Sequence, residues 1–349
     1  MARRNSRAAA SRRPVHGILL LDKPQGGSSN HALQRAKRLF NARKAGHTGS
    51  LDPLATGMLP VCFGEATKLS AFLLDADKAY ETTMVLGVRT DSADADGQVI
   101  STDDIPDDLD AVRFQAIADS FKGPQKQIPP MVSAIKIDGK PLYKLAREGI
   151  EIERKPRDVT IHELEVLAFD GSSARLRVRC SKGTYIRSLV SDIGDKIGCG
   201  AHLTVLRRSA VSPFDGDSMH DFDTLEGLLA ERSPEAGFAA LDDLLLPLDA
   251  GLGHLPKVTL CPEAVVAFRH GQGTPSDTPK HAEIRRMMDF SPGDFSTESF
   301  SDESGRALCR VYEPLPADGS EPAPTRLIGL GEMAKDNWFL TPKRVIQWS

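Results

Sequence analysis

The segment that most constrains the fold of this chain is Ala174–Cys180, in which apolar residues and arginines alternate strictly. Successive side chains of a β-strand point to opposite faces of the sheet, so this segment predicts a strand with one apolar face and one strongly basic face. A sheet that buries one face and exposes the other is typical of antiparallel architecture. The segment therefore indicates a sheet that packs on one side against a core.

The other periodic segments include both strands and helices, without a repeated strand-helix-strand unit. A run of large apolar residues predicts a buried strand over 17–22, and a second strand is predicted over 80–86, followed by a turn at Asp94–Gly97. Helical spacing begins after Ser29 or Asn30, either of which can cap the helix. Further helical patterns lie at 65–75, 109–121, 185–197, 225–230 and 241–246. Together these elements predict an α+β fold with a mixed, mainly antiparallel sheet core flanked by helices.

The length of 349 residues allows two domains, and the apolar and charged fractions of 40% and 26% are those of an ordinary globular protein. No apolar run reaches the roughly 18 residues that cross a bilayer, which argues against a membrane protein. The five cysteines are widely spaced and include no Cys-x-x-Cys pair, which argues against zinc and against a disulfide framework. We expect a reducing compartment, the cytoplasm, and no bound metal.

The formal net charge of −4 conceals an uneven distribution. Residues 274–304 carry seven acidic and three basic side chains, whereas residues 122–157 carry nine basic and four acidic ones. Basic surface is therefore available to a polyanion although the chain as a whole is acidic. The Ile-Pro-Pro sequence at 128–130 cannot continue a regular element, so we predict that 122–157 leaves the sheet as an excursion.

One carboxylate stands in a loop whose sequence restricts its conformation. The segment Gly46–Gly57 reads GHTGSLDPLATG, with Asp52 directly before Pro53. The glycines permit backbone conformations that are closed to other residues, and the proline disfavours a helical conformation at Asp52. An isolated Asp-Pro pair is typical of an ordinary turn. The interpretation of Asp52 as a functional carboxylate therefore depends on the rest of the sequence.

The segments around this loop resemble, in the same order, those of the TruB family of tRNA pseudouridine synthases over roughly residues 14–211. The resemblance rests on the loop and on Gly17–Pro24 (GILLLDKP), Gly64–Lys68 (GEATK), Lys78–Tyr80 (KAY), Asp94–Gly97 (DADG), Ser181–Arg187 (SKGTYIR) and Leu206–Arg208 (LRR). It implies the pseudouridine synthase fold and an isomerase. Such an enzyme breaks the bond between the ribose carbon and N1 of uracil, rotates the base and rejoins it through carbon, without a cofactor.

The resemblance also implies roles for individual residues. Asp52 is the implied catalytic carboxylate, because a carboxylate can attack covalently and then leave. Arg187 is implied as the cation that keeps it ionised, and Tyr80 as the aromatic residue that stacks on the uracil and removes a proton. Tyr185 and Leu206 are implied to line the uracil pocket.

The implied substrate is uridine 55 in the T-stem and loop of tRNA, which must be extruded from its stack. His47 is implied to fill or support the space that the extruded base leaves in the RNA. Lys23 is expected to bind substrate as well. The basic stretch 122–157 corresponds to the thumb insertion of the family, in which Lys136 and Lys140 are expected to contact phosphate.

Residues 256–349 contain short apolar runs and frequent glycines and resemble the small β-rich PUA module that binds RNA in many bacterial members of this family. Residues 274–304 depart from that pattern and are expected to form an acidic loop without RNA contact. We expect residues 1–14 to form a disordered basic arm, 15–250 the catalytic domain and Gly251–Pro256 a linker. The protein is expected to be a monomer.

Two other functions stay open at the level of sequence. A guide-RNA-dependent synthase of the dyskerin type shares the catalytic motifs, although the intact basic stretch favours a stand-alone enzyme. A non-enzymatic RNA-binding or tRNA-folding protein would use the same cleft without chemistry. Replacing Asp52 distinguishes this last alternative from an enzyme, because only an enzyme would lose isomerisation while it keeps RNA binding.

Overall fold

A computed structural model gives the architecture of the chain. It describes residues 12–133, 135–137, 139–273, 288–290, 294–295, 297–300, 305–316 and 324–348. Most of the expected basic arm and much of the expected acidic loop therefore lie outside the described residues. Within these ranges, no helix is long and apolar enough to span a membrane.

The strands of the described residues are β1 (Gly17–Lys23), β2 (Ala45–His47), β3 (Thr56–Phe63), β4 (Lys78–Leu86), β5 (Val88–Thr90), β6 (Val99–Thr102), β7 (Gly123–Gln127), β8 (Lys136–Ile137), β9 (Lys140–Pro141), β10 (Arg157–Phe169), β11 (Ser173–Cys180), β12 (Ala201–Val211), β13 (Lys257–Leu260), β14 (Met288–Asp289), β15 (Arg306–Pro314), β16 (Thr325–Ala334) and β17 (Leu340–Val345). The helices are α1 (Ser29–Leu39), α2 (Ser70–Leu74), α3 (Ala111–Asp119), α4 (Leu142–Arg147), α5 (Ile186–Ile197), α6 (Phe222–Ala230), α7 (Pro234–Asp242) and α8 (Pro262–Arg269). Short 3-10 helices lie at Gly64–Lys68, Gly216–Ser218, Ala250–Leu252 and Thr297–Phe300.

The larger sheet has the strand order β1-β3-β12-β4-β11-β10-β7, with β2 paired to β3. Its strand pairs are antiparallel except for the short parallel contact between β12 and β3. The predicted α+β fold with a mixed, mainly antiparallel sheet is therefore confirmed. Strands β4 and β12 lie side by side at its centre and, as described below, carry part of the candidate site.

Apolar clusters cover one face of this sheet and, at β1 and β3, the other face as well. On one face, side chains of α1, α3 and α5 pack against the strands, among them Ala36, Phe114 and Ile193, all fully buried. On the other face, Ile18 of β1 packs in a cluster that includes Leu330 of β16. Because β1 is buried on both faces, its sequence is a continuous apolar run rather than an alternating one.

The second sheet has the order β14-β13-β15-β16-β17 and confirms a β-rich C-terminal region. The expected linker before it is packed rather than free, since Leu252 is 2% exposed. The acidic segment 274–304 is not a loop throughout, because Met288–Asp289 form β14. At the other end of the chain, Arg13 of the expected basic arm is ion-paired with Asp242.

The exposed face of β11 is not the basic surface that its sequence predicts. The strand does alternate between buried and exposed residues. Two of its three exposed arginines, however, are paired with glutamates of the neighbouring strands: Arg177 lies 3.1 Å from Glu81 and 3.0 Å from Glu165, and Arg179 lies 2.9 Å from Glu163. These cross-strand pairs of opposite charge offset much of the positive charge of this face, which weakens its attraction to phosphate.

Two helix predictions need correction. The cap of α1 is Ser28 rather than Ser29 or Asn30, because its Oγ accepts a hydrogen bond from the His31 N–H at 3.1 Å. The helix expected over 241–246 ends at Asp242. Leu246 instead pairs with the edge of β1, and the proline that follows it disfavours a helical conformation.

The excursion expected over 122–157 is shorter than predicted. Strand β7 pairs with the start of β10 in the larger sheet, from Gln127 opposite Arg157 onward, so the chain leaves the sheet over 128–156. Within that range, β8 and β9 form a separate two-stranded hairpin, which α4 follows.

Gly57 is required where β3 approaches β12. Its φ is +96°, and a Cβ there would lie 2.3 Å from the backbone oxygen of Arg208. Gly26 has a similar φ of +92°, but a Cβ would meet nothing within 4 Å. We expect Gly57→Ala to lower the free energy of unfolding by about 1–3 kcal/mol more than Gly26→Ala, because only the first forces the strands apart.

Denaturant unfolding of both variants beside the wild type measures this difference. Equal destabilisation by the two substitutions would contradict a steric clash between the strands at Gly57. The loss of stability would then be due to the positive φ at each position alone.

Candidate active site

The loop that carries Asp52 joins β2 to β3 and is anchored by a buried hydroxyl. Ser29 Oγ accepts a hydrogen bond from the Leu51 N–H at 2.7 Å and donates one to the Leu51 carbonyl at 3.0 Å. Ser29 is 3% exposed, so these bonds are sheltered from water. The residue directly before Asp52 is therefore fixed from both sides of its backbone.

Lys23 is fully buried beneath the same loop. Its Nζ donates hydrogen bonds to the carbonyls of Ala55 at 2.7 Å and Pro24 at 2.9 Å. Desolvation lowers the pKa of Lys23 to about 8, although the nearby Asp52 carboxylate opposes the shift. Lys23 thus lies beneath the loop, where it donates hydrogen bonds to backbone carbonyls, rather than on a surface that could bind substrate.

The guanidinium of Arg187 is the centre of the polar contacts. It lies in the first turn of α5 and is 2% exposed, with Nε 2.9 Å from Asp52 Oδ2. Its two terminal nitrogens donate to the carbonyls of Ser92 at 3.0 Å and Val132 at 2.6 Å. A second carboxylate oxygen, Asp94 Oδ2, lies 3.6 Å from Nε. The cation is therefore held by three separate segments of the chain.

These charges act on Asp52 in opposite directions. Desolvation raises the pKa of Asp52, the Arg187 cation lowers it, and the carboxylate of Asp94 raises it again. Asp94 is 5% exposed, and sequence reasoning treated it as part of a turn. The sequence shows that Asp94 is acidic and belongs to a motif that also contains Asp96, and this was the only sign of a possible role. Its distance from Arg187 is set by the fold.

A cavity of about 300 Å³ opens beside Asp52. It is lined by five of the sequence-predicted site residues, which the structure brings together from four segments: Asp52, Tyr80, Tyr185, Arg187 and Leu206. Its volume is at the low end of small-ligand pockets, of about 300–1,000 Å³. The cavity combines one carboxylate, the guanidiniums of Arg187 and Arg208, two aromatic rings and an aliphatic wall, which suits a single planar base.

Arg208 is a site residue that sequence reasoning did not assign, although it belongs to a quoted motif. It is 1% exposed and lines the cavity. Its Nε donates to the Met58 carbonyl at 2.7 Å and its Nη2 to the Gly49 carbonyl at 2.9 Å. Burial raises the pKa of the Tyr80 hydroxyl, and the charge of Arg208 opposes this shift. Arg208 thus supports the Asp52 loop and stabilises any negative charge on Tyr80.

His47 and Lys140 are not among the described residues that line the cavity. His47 is in β2, where burial and, to a smaller extent, the charge of Arg208 lower its pKa and favour the neutral imidazole. Its Nδ1 is buried and has no hydrogen-bond partner among the described residues. Lys136 and Lys140 lie on the paired strands β8 and β9, and Lys140 is exposed.

Comparisons with known proteins show the family to which this chain belongs. The TruB family pseudouridylate synthase N-terminal domain matches residues 37–186, and the tRNA pseudouridylate synthase B C-terminal domain matches residues 187–253. The tRNA pseudouridine synthase B of Stutzerimonas stutzeri is 53% identical over 78% of this chain and 88% of its own length.

The tRNA pseudouridine synthase B of Tolumonas auensis is 48% identical over 89% of this chain and 97% of its own. A solved Cbf5-Nop10-Gar1 complex has a chain with a TM-score of 0.64 and 25% identity, covering 95% of this chain and 84% of that one. The chain belongs to the TruB family of pseudouridine synthases and is an isomerase that converts uridine to pseudouridine.

Proposed function

We propose that this enzyme isomerises uridine 55 in the T-loop of tRNA, with Asp52 as the nucleophile. The observation that carries the proposal is the Asp52 carboxylate, 2.9 Å from a buried guanidinium in a cavity shared with two tyrosines. Relatives that are 50–53% identical to this chain are named tRNA pseudouridine synthase B, which supports tRNA as the substrate.

The reaction needs no outside reactant, because uridine and pseudouridine are isomers. The carboxylate attacks the ribose carbon or the base, the bond from the ribose carbon to N1 breaks, and the base turns within the cavity. A carbon of the ring then bonds to the ribose and loses its proton, N1 gains a proton, and the carboxylate leaves. The Arg187 cation favours the ionised form of Asp52 that attacks, and so opposes the rise in its pKa that desolvation causes.

Tyr80 is suited to the proton removal. Its ring lines the cavity, where it can stack on the uracil, and its hydroxyl lies in the field of Arg208. Tyr185 and Leu206 form further walls against the base. A cavity of this size excludes neighbouring nucleotides, so the target base must leave its stack at a cost of a few kcal/mol. The neutral imidazole of His47, at the start of the loop, can offset part of this cost by stacking.

RNA is held outside the cavity in this proposal. The excursion 128–156 carries the expected phosphate contacts of Lys136 and Lys140, and the C-terminal sheet adds a PUA-like surface. A tRNA substrate supports a cytoplasmic location, and we expect the enzyme to act as a monomer without metal. The similar solved structures include H/ACA ribonucleoprotein particles, but the named relatives with much higher identity favour a stand-alone enzyme.

Asp52→Asn is expected to abolish pseudouridine formation while tRNA affinity changes little, because the amide cannot attack but keeps nearly the same shape. Pseudouridine in an unmodified tRNA transcript and the Kd for that transcript are the measurements. Asp96→Asn, an exposed change of the same charge, is the control and should leave both values unchanged. Wild-type turnover by Asp52→Asn would contradict the catalytic assignment and favour a non-enzymatic tRNA-folding role.

Asp94→Asn is expected to move the acid limb of the pH-rate profile to lower pH. The carboxylate of Asp94 raises the pKa of Asp52, so its removal lowers that pKa and leaves Asp52 ionised in more acidic solution. Single-turnover rates between about pH 4.5 and 8 locate the limb. A limb that stays in place or moves to higher pH would show that Asp94 does not act on Asp52 through its charge.

Replacing Lys136 and Lys140 together by alanine is expected to weaken tRNA binding and to flatten its salt dependence, by about one to two in the slope of log K against log salt. Lys126→Ala is the control, since Lys126 lies on β7 and is paired with Asp158 at 3.1 Å. The slope is obtained from Kd values at several salt concentrations. An unchanged slope in the double variant would exclude phosphate contact by these two lysines.

A further inference from the structure

Gln127, the last residue of β7, holds the backbone at the start of α5 from both sides. The Tyr185 N–H donates to Gln127 Oε1 at 2.8 Å, and Gln127 Nε2 donates to the Tyr185 carbonyl at 3.0 Å. Gln127 is 3% exposed, so water does not compete for these two bonds. Tyr185 is the residue before the first turn of α5 and provides no side-chain cap of its own.

Two further bonds join the same pair of segments. Ser188 Oγ donates to the Ile128 carbonyl at 2.9 Å, and Arg187 Nη2 donates to the Val132 carbonyl at 2.6 Å. Residues 127–132 and 185–188 thus form a hydrogen-bonded seam, in which Gln127 contributes the two bonds nearest to Tyr185. The segment 128–156, proposed above to grip RNA, starts within this seam.

The seam adjoins the cavity, because two of its residues line it. Tyr185 and Arg187 line the cavity and are separated by a single residue at the start of α5. Arg187 Nε must stay near Asp52 Oδ2, where a displacement of about 1 Å can cost about 100-fold in rate. A side chain that fixes the backbone of Tyr185 therefore fixes both groups relative to Asp52.

We propose that Gln127 is a positioning residue for the isomerisation: its carboxamide holds the start of α5 so that Arg187 meets Asp52 and Tyr185 faces the base. Gln127 itself does not line the cavity and acts through Tyr185 and Arg187. This inference rests on the proposed function of the Asp52 cavity. The same seam connects the segment 128–156, which is proposed to bind RNA, with Arg187, because both are hydrogen-bonded within it.

Gln127→Met tests the proposal, because methionine has nearly the same length and volume but forms neither hydrogen bond. Gln125→Met is the matched control: Gln125 lies on the same strand, and its amide donates to the Phe121 carbonyl at 2.7 Å, away from α5. Gln127→Asn is a second variant that keeps a polar group at the buried position but is one methylene too short to span both Tyr185 groups. Thermal unfolding and tRNA Kd are measured for each, together with the single-turnover rate at saturating enzyme.

We expect both Gln127 variants to react about tenfold to 100-fold more slowly, with the tRNA Kd within about threefold of wild type. Gln125→Met should keep the wild-type rate even if its unfolding temperature falls, which separates positioning from general stability. A rate within about twofold of wild type in either folded Gln127 variant would overturn the proposal. If the wild type and Gln125→Met form no pseudouridine in T-loop RNA, the proposed function fails instead.

Discussion

The ion pair between Asp52 and Arg187 is the interaction on which the rest of the site depends. A guanidinium that is 2% exposed would be strongly unfavourable without partners. The carbonyls of Ser92 and Val132 supply two of them, and the carboxylates of Asp52 and Asp94 supply the charge. Four segments must therefore come together before the cation can be buried. Burial raises the pKa of Asp52 in this cavity, and the Arg187 cation opposes that rise.

Two more buried cations serve the loop that presents Asp52. Lys23 holds carbonyls within the loop, and Arg208 holds the carbonyl of Gly49. Both are basic residues of an RNA-modifying enzyme, yet neither has a surface position from which to bind phosphate. Their buried bonds give the loop a rigidity that glycine and proline alone cannot provide, because those residues restrict the backbone without tying it to the sheet.

The sequence predicted those parts of the fold that local pattern governs. The alternation of Ala174–Cys180 identified a strand correctly, and apolar spacing identified α5, since burial on one face imposes these periods. The basic face of that strand was a wrong expectation, because glutamates from neighbouring strands neutralise Arg177 and Arg179. The helix expected at 241–246 was wrong for a similar reason, since Leu246 pairs with a distant strand.

The sequence by itself determined the family motifs, the mainly antiparallel α+β class and the candidate residues Asp52, Tyr80 and Arg187, because motif order and hydrophobic period are properties of the linear chain. Only the tertiary structure decided that Asp94 shares the guanidinium and that Gln127 clamps Tyr185. It also decided that Lys23 is buried. Hydrogen bonds and charge pairs depend on distances between segments far apart in the chain, and no local pattern encodes those distances.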